Sequence, residues 1–429
     1  MNREEIAARL DEARRRTLAL VQSLSEADLH CQHDVLMSPI IWDLGHIAHF
    51  EELWLVRNLE GPLEFGEMPG IYNPFENPRR VRGQLALPSL EEVKSLMGEV
   101  RARVLSGLEK ARLDDDNPLL RDGYVYAMVL QHEYQHNETI LQTLQLKQGE
   151  PYHAPQLYAP PMRRATPSST MASFAGGRVT IGTNDRAAAY DNERPAHEVN
   201  VAPFLIDVFP VTNADYLRFV RDGGYATESL WSSEGWQWRQ ESNAESPKYW
   251  IRDGSDWCVR VMDRVRSVDP SLPVCHVCFH EAEAFARWAG KRLPTETEWE
   301  VAAGWDSARQ HMRRFPWGDE SITAERANID QLSFGVAPVG AYGANWSPLG
   351  CYGMIGDVWE WTSSDFLPYP DYQTFPYREY SEVFFGNEYK VLRGGSWATR
   401  PGVIRTSLRN WDYPIRRQIF SGFRCARDG

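Results

Sequence analysis

The sequence is poor in cysteine, in long apolar runs and in excess positive charge. Its six cysteines are spread over 429 residues, a pattern that excludes a disulfide framework. Since no run of 18 apolar residues occurs, we expect no membrane-spanning helix. The net charge of −13 argues against a nucleic-acid partner or an anionic membrane surface. The charged, helix-like start Met-Asn-Arg-Glu-Glu-Ile predicts no signal peptide, and we therefore expect a cytoplasmic protein.

Tryptophan is scarce in the first third of the chain. All of the 16 tryptophans except Trp42 and Trp54 lie beyond residue 150, whereas the first 150 residues are rich in Leu, Glu and Arg. A chain of this length is expected to form two or three domains. Residues 151–170 are rich in Pro and Ser and predict a linker. We therefore expect a helical domain over 1–150 and a second domain of different architecture over 171–429.

Hydrophobic periodicity predicts four helices in the first domain. The first covers about residues 3–25, and the second begins with Ser38 as N-cap and Pro39 at the first helical position. The third begins at the capping box Ser89-Leu-Glu-Glu92, and the fourth runs from about 121 to 147. Four such helices predict a four-helix bundle, in which side chains facing inward from adjacent helices build metal sites.

The fourth helix carries two histidines, His132 and His136. A spacing of four places both imidazoles on one helix face, one turn apart, where they can share a metal ion. Neutral imidazole suits iron, zinc, copper or nickel, so the pair does not name the metal. The alternative is an ordinary polar helix face. With Glu133, the pair also matches the HExxH pattern of zinc hydrolases.

A third ligand is expected from the second helix, which offers His46 and His49. His46 lies one turn after Trp42 and one turn before Phe50, on the face that these apolar residues define. His49 stands beside Glu51 and Glu52, a position that also fits a surface residue. The spacing favours His46 as the ligand, with a structural histidine as the alternative.

The connection between the second and third helices is long for a bundle and contains three arginines within four residues, Arg79, Arg80 and Arg82. Long loops are usually functional or disordered. In an acidic protein this cluster predicts a clamp for a substrate carboxylate. A solvated charged loop is the alternative interpretation.

The second domain shows short strands, such as Val179–Ile181, and two clear helices, over 280–289 and 295–303. Cys275, Cys278 and His280 have the spacing of a metal knuckle. No second cysteine pair stands at zinc spacing, so we interpret the segment after Pro273 as a buried strand feeding the helix. The role of Cys275 and Cys278 stays open.

Aromatic residues concentrate in the last 80 residues, where Asn410, Trp411 and Asp412 are consecutive. An amide, a flat aromatic face and a carboxylate together suit a zwitterionic or quaternary ammonium ligand. Ordinary core packing is the alternative.

Taken together, these motifs resemble the ergothioneine-biosynthesis sulfoxide synthases, which are non-haem iron(II) enzymes. The resemblance covers nearly the whole chain and implies an α+β multidomain fold, with a DinB-like four-helix bundle followed by a formylglycine-generating-enzyme-like domain of C-type-lectin-like topology. The motifs that carry it are Ser38-Pro-Ile-Ile-Trp-Asp-Leu-Gly-His46, His132-Glu-Tyr-Gln-His136, Gly290-Lys-Arg-Leu-Pro-Thr-Glu-Thr-Glu-Trp-Glu300, Gly356-Asp-Val-Trp-Glu-Trp-Thr362, Leu392-Arg-Gly-Gly-Ser396, Arg409-Asn-Trp-Asp412 and Gly422-Phe-Arg-Cys-Ala426.

The resemblance implies a reaction and a set of site residues. The family couples a thiol to C2 of the imidazole of hercynine, N-alpha-trimethylhistidine, with dioxygen, and the product is a sulfoxide. Its three-histidine Fe(2+) site falls on His46, His132 and His136. The hercynine-binding residues fall on Gln135, Asn410 and Trp411. In the subgroup that uses gamma-glutamylcysteine, the thiol-binding residues fall on Arg79, Arg82 and Asp412.

A tyrosine near the iron supplies a proton or hydrogen atom in this family. The candidates here are Tyr377 and Tyr380, with Tyr372 also possible. Formylglycine-generating enzymes use a C-terminal cysteine pair for copper. This chain keeps Cys425 but has Phe420 five residues earlier, which argues against copper chemistry.

We thus expect an iron(II) oxygenase whose partners are hercynine, gamma-glutamylcysteine and dioxygen, acting as a monomer or small homo-oligomer. Free cysteine or a selenium donor, the latter giving selenoneine, is the alternative second substrate. An HExxH zinc hydrolase with Glu133 as general base is a remote alternative. A binding module without metal, formed by a degenerate lectin-like domain on the bundle, is a third.

Overall fold

The computed structural model describes residues 1–60, 70–113, 116–155 and 170–429. The chain divides into two compact units, one formed by Met1–Tyr152 with Asp185–Ala188 and the other by His153–Asn184 with Ala189–Gly429. Most of the predicted linker, residues 156–169, lies outside the described residues. Within the described ranges, no helix has the length and apolar character needed to cross a membrane.

The helical unit is built on four long helices, as predicted. Helix α3 contacts both α5 and α6, and α1 packs along α6. A π-helical turn, Leu53–Arg57, joins α3 to α4, and a 3-10 turn, Arg79–Gln84, precedes α5. The helices are α1 (Arg3–Val21), α2 (Glu26–His30), α3 (Ile40–Glu52), α4 (Asn58–Glu60), α5 (Leu90–Lys110) and α6 (Tyr124–Leu146).

Of the two predicted N-caps, the one at the start of α5 is confirmed and the one at the start of α3 is wrong. The capping box at α5 is confirmed, because the Glu92 carboxylate accepts from the Ser89 backbone N–H and the Ser89 hydroxyl accepts from the Glu92 N–H. The predicted Ser38 cap is wrong. Helix α3 begins at Ile40 with Pro39 as N-cap, and the Ser38 hydroxyl accepts a 2.7 Å hydrogen bond from Arg82 Nη1. The buried guanidinium needs this acceptor.

Helix α6 is buried along most of its surface except for one stripe. The half-buried stripe recurs at helical spacing, three or four residues apart, and comprises His132, Gln135, His136, Thr139 and Gln142. The remaining positions between Tyr124 and Gln145 are buried. The stripe therefore presents both histidines of α6 to an accessible space.

The opposite side of α6 is fixed by buried charges. Glu133 accepts from Arg14 Nε at 3.0 Å and from the Thr17 hydroxyl at 2.7 Å. Arg14 also pairs with Glu51 of α3, which Arg101 of α5 contacts at 2.6 Å. Buried charges are tolerated when they are paired and hydrogen-bonded in this way. The network ties α6 to α1, α3 and α5 and so holds the rotation of α6 about its axis.

The second unit, in its described residues, is a mixture of short strands, turns and four α-helices. The strands are β1 (Met171–Phe174), β2 (Gly177–Ile181), β3 (His197–Val201), β4 (Phe204–Asp207), β5 (Trp250–Asp253), β6 (Asp256–Val261), β7 (Arg264–Ser267), β8 (Trp305–Asp306), β9 (His311–Met312), β10 (Trp359–Phe366), β11 (Gly386–Arg393), β12 (Asn410–Asp412), β13 (Ser421–Gly422) and β14 (Ala426–Asp428). The helices are α7 (Asn213–Arg221), α8 (Ser233–Ser242), α9 (Phe279–Trp288) and α10 (Glu296–Gly304).

Two sheets organise this unit, with strand orders β1-β4-β14 and β12-β11-β10-β13. Strands β10 and β11 are antiparallel, and β13 is parallel to β10. The three residues of β12 pair with β11, so that Trp411 lies opposite Val391. Trp299 of α10 is fully buried against residues of β1, β2 and β4. The Trp299 indole also donates to Glu360 of β10 at 2.7 Å, so α10 connects the sheet that contains β4 with the sheet that contains β12.

The buried strand predicted after Pro273 is wrong. Residues 274–278 are irregular, although Val274, Val277 and Cys278 are fully buried. His276 has φ +66°, a left-handed conformation that interrupts any extended segment. The apolar pattern therefore predicted the burial of this segment correctly, but it did not predict that the backbone would be irregular.

Candidate metal centre

The three histidines predicted as ligands converge in the helical unit. In the part of the chain that the structure describes, His46, His132 and His136 form the one group of potential metal ligands, with ligand atoms all within 4.8 Å of one another. The Nε2 atoms of His46 and His132 are 3.2 Å apart. Two nitrogens bound to one ion with bonds of about 2.1 Å lie about 3.0–3.4 Å apart, so this pair is spaced for a shared ion.

His46 is oriented by a backbone carbonyl. Its Nδ1 lies 2.9 Å from the Tyr72 carbonyl oxygen, which only accepts, so Nδ1–H is the donor. In the neutral ring Nε2 then carries a lone pair, which a metal ligand requires. Burial lowers the pKa of His46 well below its ordinary value, and His136 nearby adds to this shift. The ring is therefore held neutral, with the correct nitrogen facing its two partners.

His136 is oriented by a carboxylate. Its Nδ1 lies 3.1 Å from Oδ1 of Asp43, a fully buried residue one turn before His46 on α3. A carboxylate that accepts from Nδ1–H fixes the tautomer and ring orientation of a metal-binding histidine. Asp43 on α3 thus supports a ligand on α6, while Tyr72 supports the ligand on α3 itself.

Stacked aromatic rings restrict the rotation of the imidazoles of His46 and His132. Trp42 stacks on His46 with ring centroids 4.8 Å apart and planes within 11°. Phe50 stacks on His132 at 3.7 Å, also within 11°. Burial also lowers the pKa of His132 well below its ordinary value. The donor set is thus a group of oriented imidazoles in an apolar setting, which suits a divalent transition metal.

His49 and Glu133 take no part in this group. His49 is half-buried, and its ring lies 6.2 Å from that of Tyr72. Glu133 is committed to Arg14 and Thr17 of α1. Burial alone would raise the pKa of its carboxyl, but the Arg14 guanidinium outweighs this effect and lowers it. A general base of an HExxH hydrolase has to face the metal, and Glu133 does not.

The predicted anion clamp is split between two environments. Arg79 is exposed, whereas Arg82 is buried and its guanidinium lies 3.5 Å above the Trp42 ring. Arg82 donates to Ser38 and, at 2.8 Å, to the Asn77 carbonyl oxygen. Burial, with the neighbouring Arg79, lowers the pKa of Arg82 to about 9. Among the described residues Arg82 has no ion-pair partner.

The predicted residues of the second unit form an aromatic cluster of their own. Trp411 stacks on Phe366 with centroids 4.1 Å apart, and Tyr380 meets Trp411 edge-on at 5.8 Å. Tyr377 lies 6.2 Å from Tyr380. Asn410, Trp411 and both tyrosines are half-buried. The cluster therefore joins both tyrosines to the Asn410–Asp412 strand.

Two predicted residues of this unit already have strong partners. Asp412 accepts from Arg416 Nε at 2.9 Å. The Tyr372 hydroxyl donates to Asp191 at 2.7 Å, and burial, with Asp191 nearby, raises the pKa of Tyr372. Cys425 is fully buried next to a fully buried Ala426, and burial raises the pKa of its thiol well above the ordinary value.

Sequence reasoning missed the residues that orient the ligands. Asp43 could have been found, because its position one turn before His46 places it on the ligand face. Tyr72 could not, because it acts through a backbone carbonyl, which has no residue signature. Together, the fold and the oriented imidazoles define a class of protein, a helical bundle joined to a mixed α/β unit, with a triple-histidine group that could bind a transition metal.

Comparison with known proteins agrees with this architecture. Residues 9–140 match the DinB superfamily, and residues 158–429 match the sulfatase-modifying factor enzyme 1-like domain. The hercynine oxygenase of Mycobacterium tuberculosis is 45% identical over 99% of each chain. That of Mycolicibacterium thermoresistibile is 44% identical over 100% of this chain and 95% of its own. The formylglycine-generating enzyme of Thermomonospora curvata is 32% identical over 60% of this chain and 93% of its own.

The chain belongs to the hercynine oxygenase family. It is therefore an oxidoreductase, and the family is one of metal-dependent oxygenases. The expected order of a DinB-like domain followed by a formylglycine-generating-enzyme-like domain is confirmed.

Proposed function

We propose that this protein is a non-haem iron(II) oxygenase that joins hercynine to a thiol, preferentially gamma-glutamylcysteine, in ergothioneine biosynthesis. The observation that carries the proposal is the convergence of His46, His132 and His136, supported by the full-length likeness to hercynine oxygenases. The reaction balances with dioxygen as the sole oxidant. A C–H and an S–H bond are replaced by a C–S bond, one oxygen atom forms the sulfoxide, and the other leaves as water.

Iron(II) held by the three histidines would supply redox electrons and open coordination positions for the reactants. Three neutral ligands leave the site its full positive charge, which favours a thiolate over a thiol. Asp43 and the Tyr72 carbonyl hold the ligand rings in the required tautomer. We assign Gln135, which lies on the half-buried stripe of α6 between the two histidines, to the orientation of the hercynine imidazole.

Arg82 supports gamma-glutamylcysteine as the thiol. A buried guanidinium without an ion-pair partner among the described residues gains most from a ligand carboxylate, which it can bind in a bidentate manner. Its pKa of about 9 would rise towards the ordinary value when such an anion binds. We assign Arg79 and Arg82 to the carboxylates of this substrate, and Asp412 to its amino group.

The aromatic cluster of the second unit supports hercynine as the other substrate. Trimethylammonium groups bind among aromatic rings through cation–π attraction, and Trp411 with Tyr380 offers such surfaces. We assign Asn410 to the hercynine carboxylate and Trp411 to its trimethylammonium group. Tyr377 and Tyr380 are the candidate proton donors. Tyr372 is the weaker candidate, because its hydroxyl is committed to Asp191.

The test is a single-turnover reaction with product analysis. The protein is loaded with Fe(2+) without oxygen, mixed with hercynine and gamma-glutamylcysteine, and then exposed to oxygen. We expect a product with the mass of both substrates plus one oxygen minus two hydrogens. Steady-state reactions then compare gamma-glutamylcysteine with cysteine and with a selenium donor, and a higher kcat/KM for either alternative would overturn the thiol assignment. Zinc-loaded protein is the control and should form no product.

The tyrosine assignment has its own readout. Tyr377→Phe or Tyr380→Phe should divert oxygen from the sulfoxide to the sulfinic acid of the thiol, because proton delivery at the metal is lost while the metal site remains. The Tyr372→Phe variant serves as the comparison. Unchanged product ratios in both of the first two variants would contradict the assignment.

A further inference from the structure

The segment 70–84, which we call the strap, runs beside α3 and contacts it at consecutive turns. The Trp42 indole Nε1–H donates to the Ile71 carbonyl at 2.6 Å, and the His46 Nδ1–H donates to the Tyr72 carbonyl at 2.9 Å. Two adjacent strap carbonyls thus accept from side chains one helical turn apart. Gln32 adds a third anchor, since its Nε2 donates to the Arg79 carbonyl at 2.6 Å.

The Tyr72 ring is seated in a notch made by Gly45. A Cβ atom at position 45 would lie 2.1 Å from Cζ and 2.2 Å from the hydroxyl oxygen of Tyr72. Glycine is unfavourable inside a helix relative to alanine, yet here no other residue leaves room for the ring. The nearest three atoms to that Cβ all belong to Tyr72, so the notch is specific to this side chain.

The other end of the strap, at Arg82, contacts the same face of α3 through Trp42. Arg82 lies 3.5 Å above the Trp42 ring, and Trp42 stacks on His46. Three planar groups therefore form one stack that ends on the imidazole. The strap holds His46 both through a hydrogen bond to its Nδ1 and through the ring that covers one of its faces.

We propose that the strap is the positioning element of the metal ligand His46, and that Gly45 and Tyr72 are its positioning residues. Seating the Tyr72 ring at Gly45 places the Tyr72 carbonyl at His46 Nδ1. That carbonyl selects the tautomer in which Nε2 is free to bind the metal. The inference rests on the metal site of the proposed function, but it concerns ligand geometry and not the reaction.

The experiment uses two readouts that need no turnover. One is the tautomer of His46 in the metal-free full-length protein, from nitrogen chemical shifts of labelled histidine, assigned by comparison with His46→Ala. The other is the equilibrium affinity for Co(2+), used as a spectroscopic probe. Gly45→Ala should shift the tautomer and weaken Co(2+) binding about 10–100-fold, as expected for loss of a partner that orients a ligand.

Gly98→Ala is the matched control, because a Cβ at this α5 position meets nothing within 4 Å. It should leave both readouts as in the wild type. Tyr72→Ala should weaken Co(2+) binding to the same degree as Gly45→Ala, and the double variant should be no weaker than Tyr72→Ala, because the clash is gone. Tyr72→Phe keeps the ring and should retain the wild-type affinity.

Wild-type tautomer and affinity in Gly45→Ala would overturn the proposal. If Gly45→Ala does not fold, the pair Tyr72→Ala and Tyr72→Phe decides, and equal affinities in the two would also overturn it. A protein that forms no sulfoxide but shows the expected affinity changes would refute the proposed reaction and leave this inference standing.

Discussion

In the helical unit, the candidate metal ligands lie on long, regular helices. His132, Gln135 and His136 share one stripe of α6, and His46 comes from the neighbouring α3. In the second unit, the corresponding residues lie on a strand of three residues and on a 3-10 turn, Arg378–Tyr380. Such short elements have little stability of their own. Other interactions must therefore fix the second set.

Buried arginine–glutamate pairs supply those interactions in the second unit. Arg409, immediately before β12, forms two 2.9 Å hydrogen bonds with Glu296 at the start of α10. Arg393, at the end of β11, pairs with Glu300 at 2.6 Å. These charges are almost inaccessible to solvent. Buried ion pairs thus hold elements in both units, through Arg14 in the helical unit, but only there does a regular helix bring the candidate residues onto one face.

The largest expected effect is the loss of stability when one of these buried ion pairs is removed. Arg409→Ala would leave Glu296 without its bidentate partner and should destabilise the second unit by about 3–5 kcal/mol. Denaturant unfolding followed by tryptophan fluorescence measures this, since most tryptophans lie in that unit. Arg178→Ala removes an exposed pair with Glu198, whose side chains are 71% and 64% accessible, and should cost below about 1 kcal/mol. Since both pairs lie in the second unit, equal costs would show that its buried ion pairs contribute no more to stability than an exposed pair.

The next largest expected effect is a loss of metal affinity when Asp43, the carboxylate that orients His136, is removed. Asp43→Ala should lower Co(2+) affinity about 10–100-fold, because His136 loses the carboxylate that fixes its tautomer. Asp11→Ala, at an exposed position of α1, is the control. Titration of both variants followed by absorption spectroscopy gives the ratio. An unchanged affinity in Asp43→Ala would mean that helix geometry alone orients the ligands.

A smaller expected effect is the dependence of the second unit's free energy of unfolding on pH. Burial lowers the pKa of His276 to about 3, whereas an unfolded histidine titrates near 6.5. Between these values the unfolded state binds more protons, so the free energy of unfolding is highest above pH 6.5 and falls as the pH decreases. The loss at pH 5 should be about 2 kcal/mol.

Denaturant unfolding between pH 7 and pH 5 measures this loss. In His276→Gln the pH dependence should be weaker by that amount, whereas His311→Gln, at an exposed position, should behave as the wild type. A His276→Gln protein with the wild-type pH dependence would show that His276 does not carry this effect.

The sequence predicted the regular parts of the molecule well. The spacing of His132 and His136 and the apolar positions flanking His46 were sufficient to select three side chains that converge. The Ser89 capping box likewise identified the start of α5. Each of these signals is local, because helical periodicity and cap chemistry depend on residues within one or two turns.

What the sequence did not predict depends on contacts between distant segments. Ser38 meets Arg82 instead of capping α3, and the Tyr72 carbonyl that orients His46 has no sequence signature. The left-handed His276 breaks a segment whose composition favours a strand. Composition left open whether Arg82 belongs to a substrate clamp or to a solvated loop, whereas its stacking on Trp42 buries it. Tertiary contacts override local preference at each of these positions.

We propose that His46, His132 and His136 hold iron(II), and measuring iron binding by alanine variants tests this without turnover. Metal-free protein is titrated with Fe(2+) without oxygen, and bound iron is measured after equilibrium dialysis. The wild type and His49→Ala should bind one ion per chain with similar affinity. Each of the three ligand variants should bind more than about 100-fold more weakly, because two imidazoles hold the ion poorly. Wild-type binding by His46→Ala, or an equal loss in His49→Ala, would contradict the account.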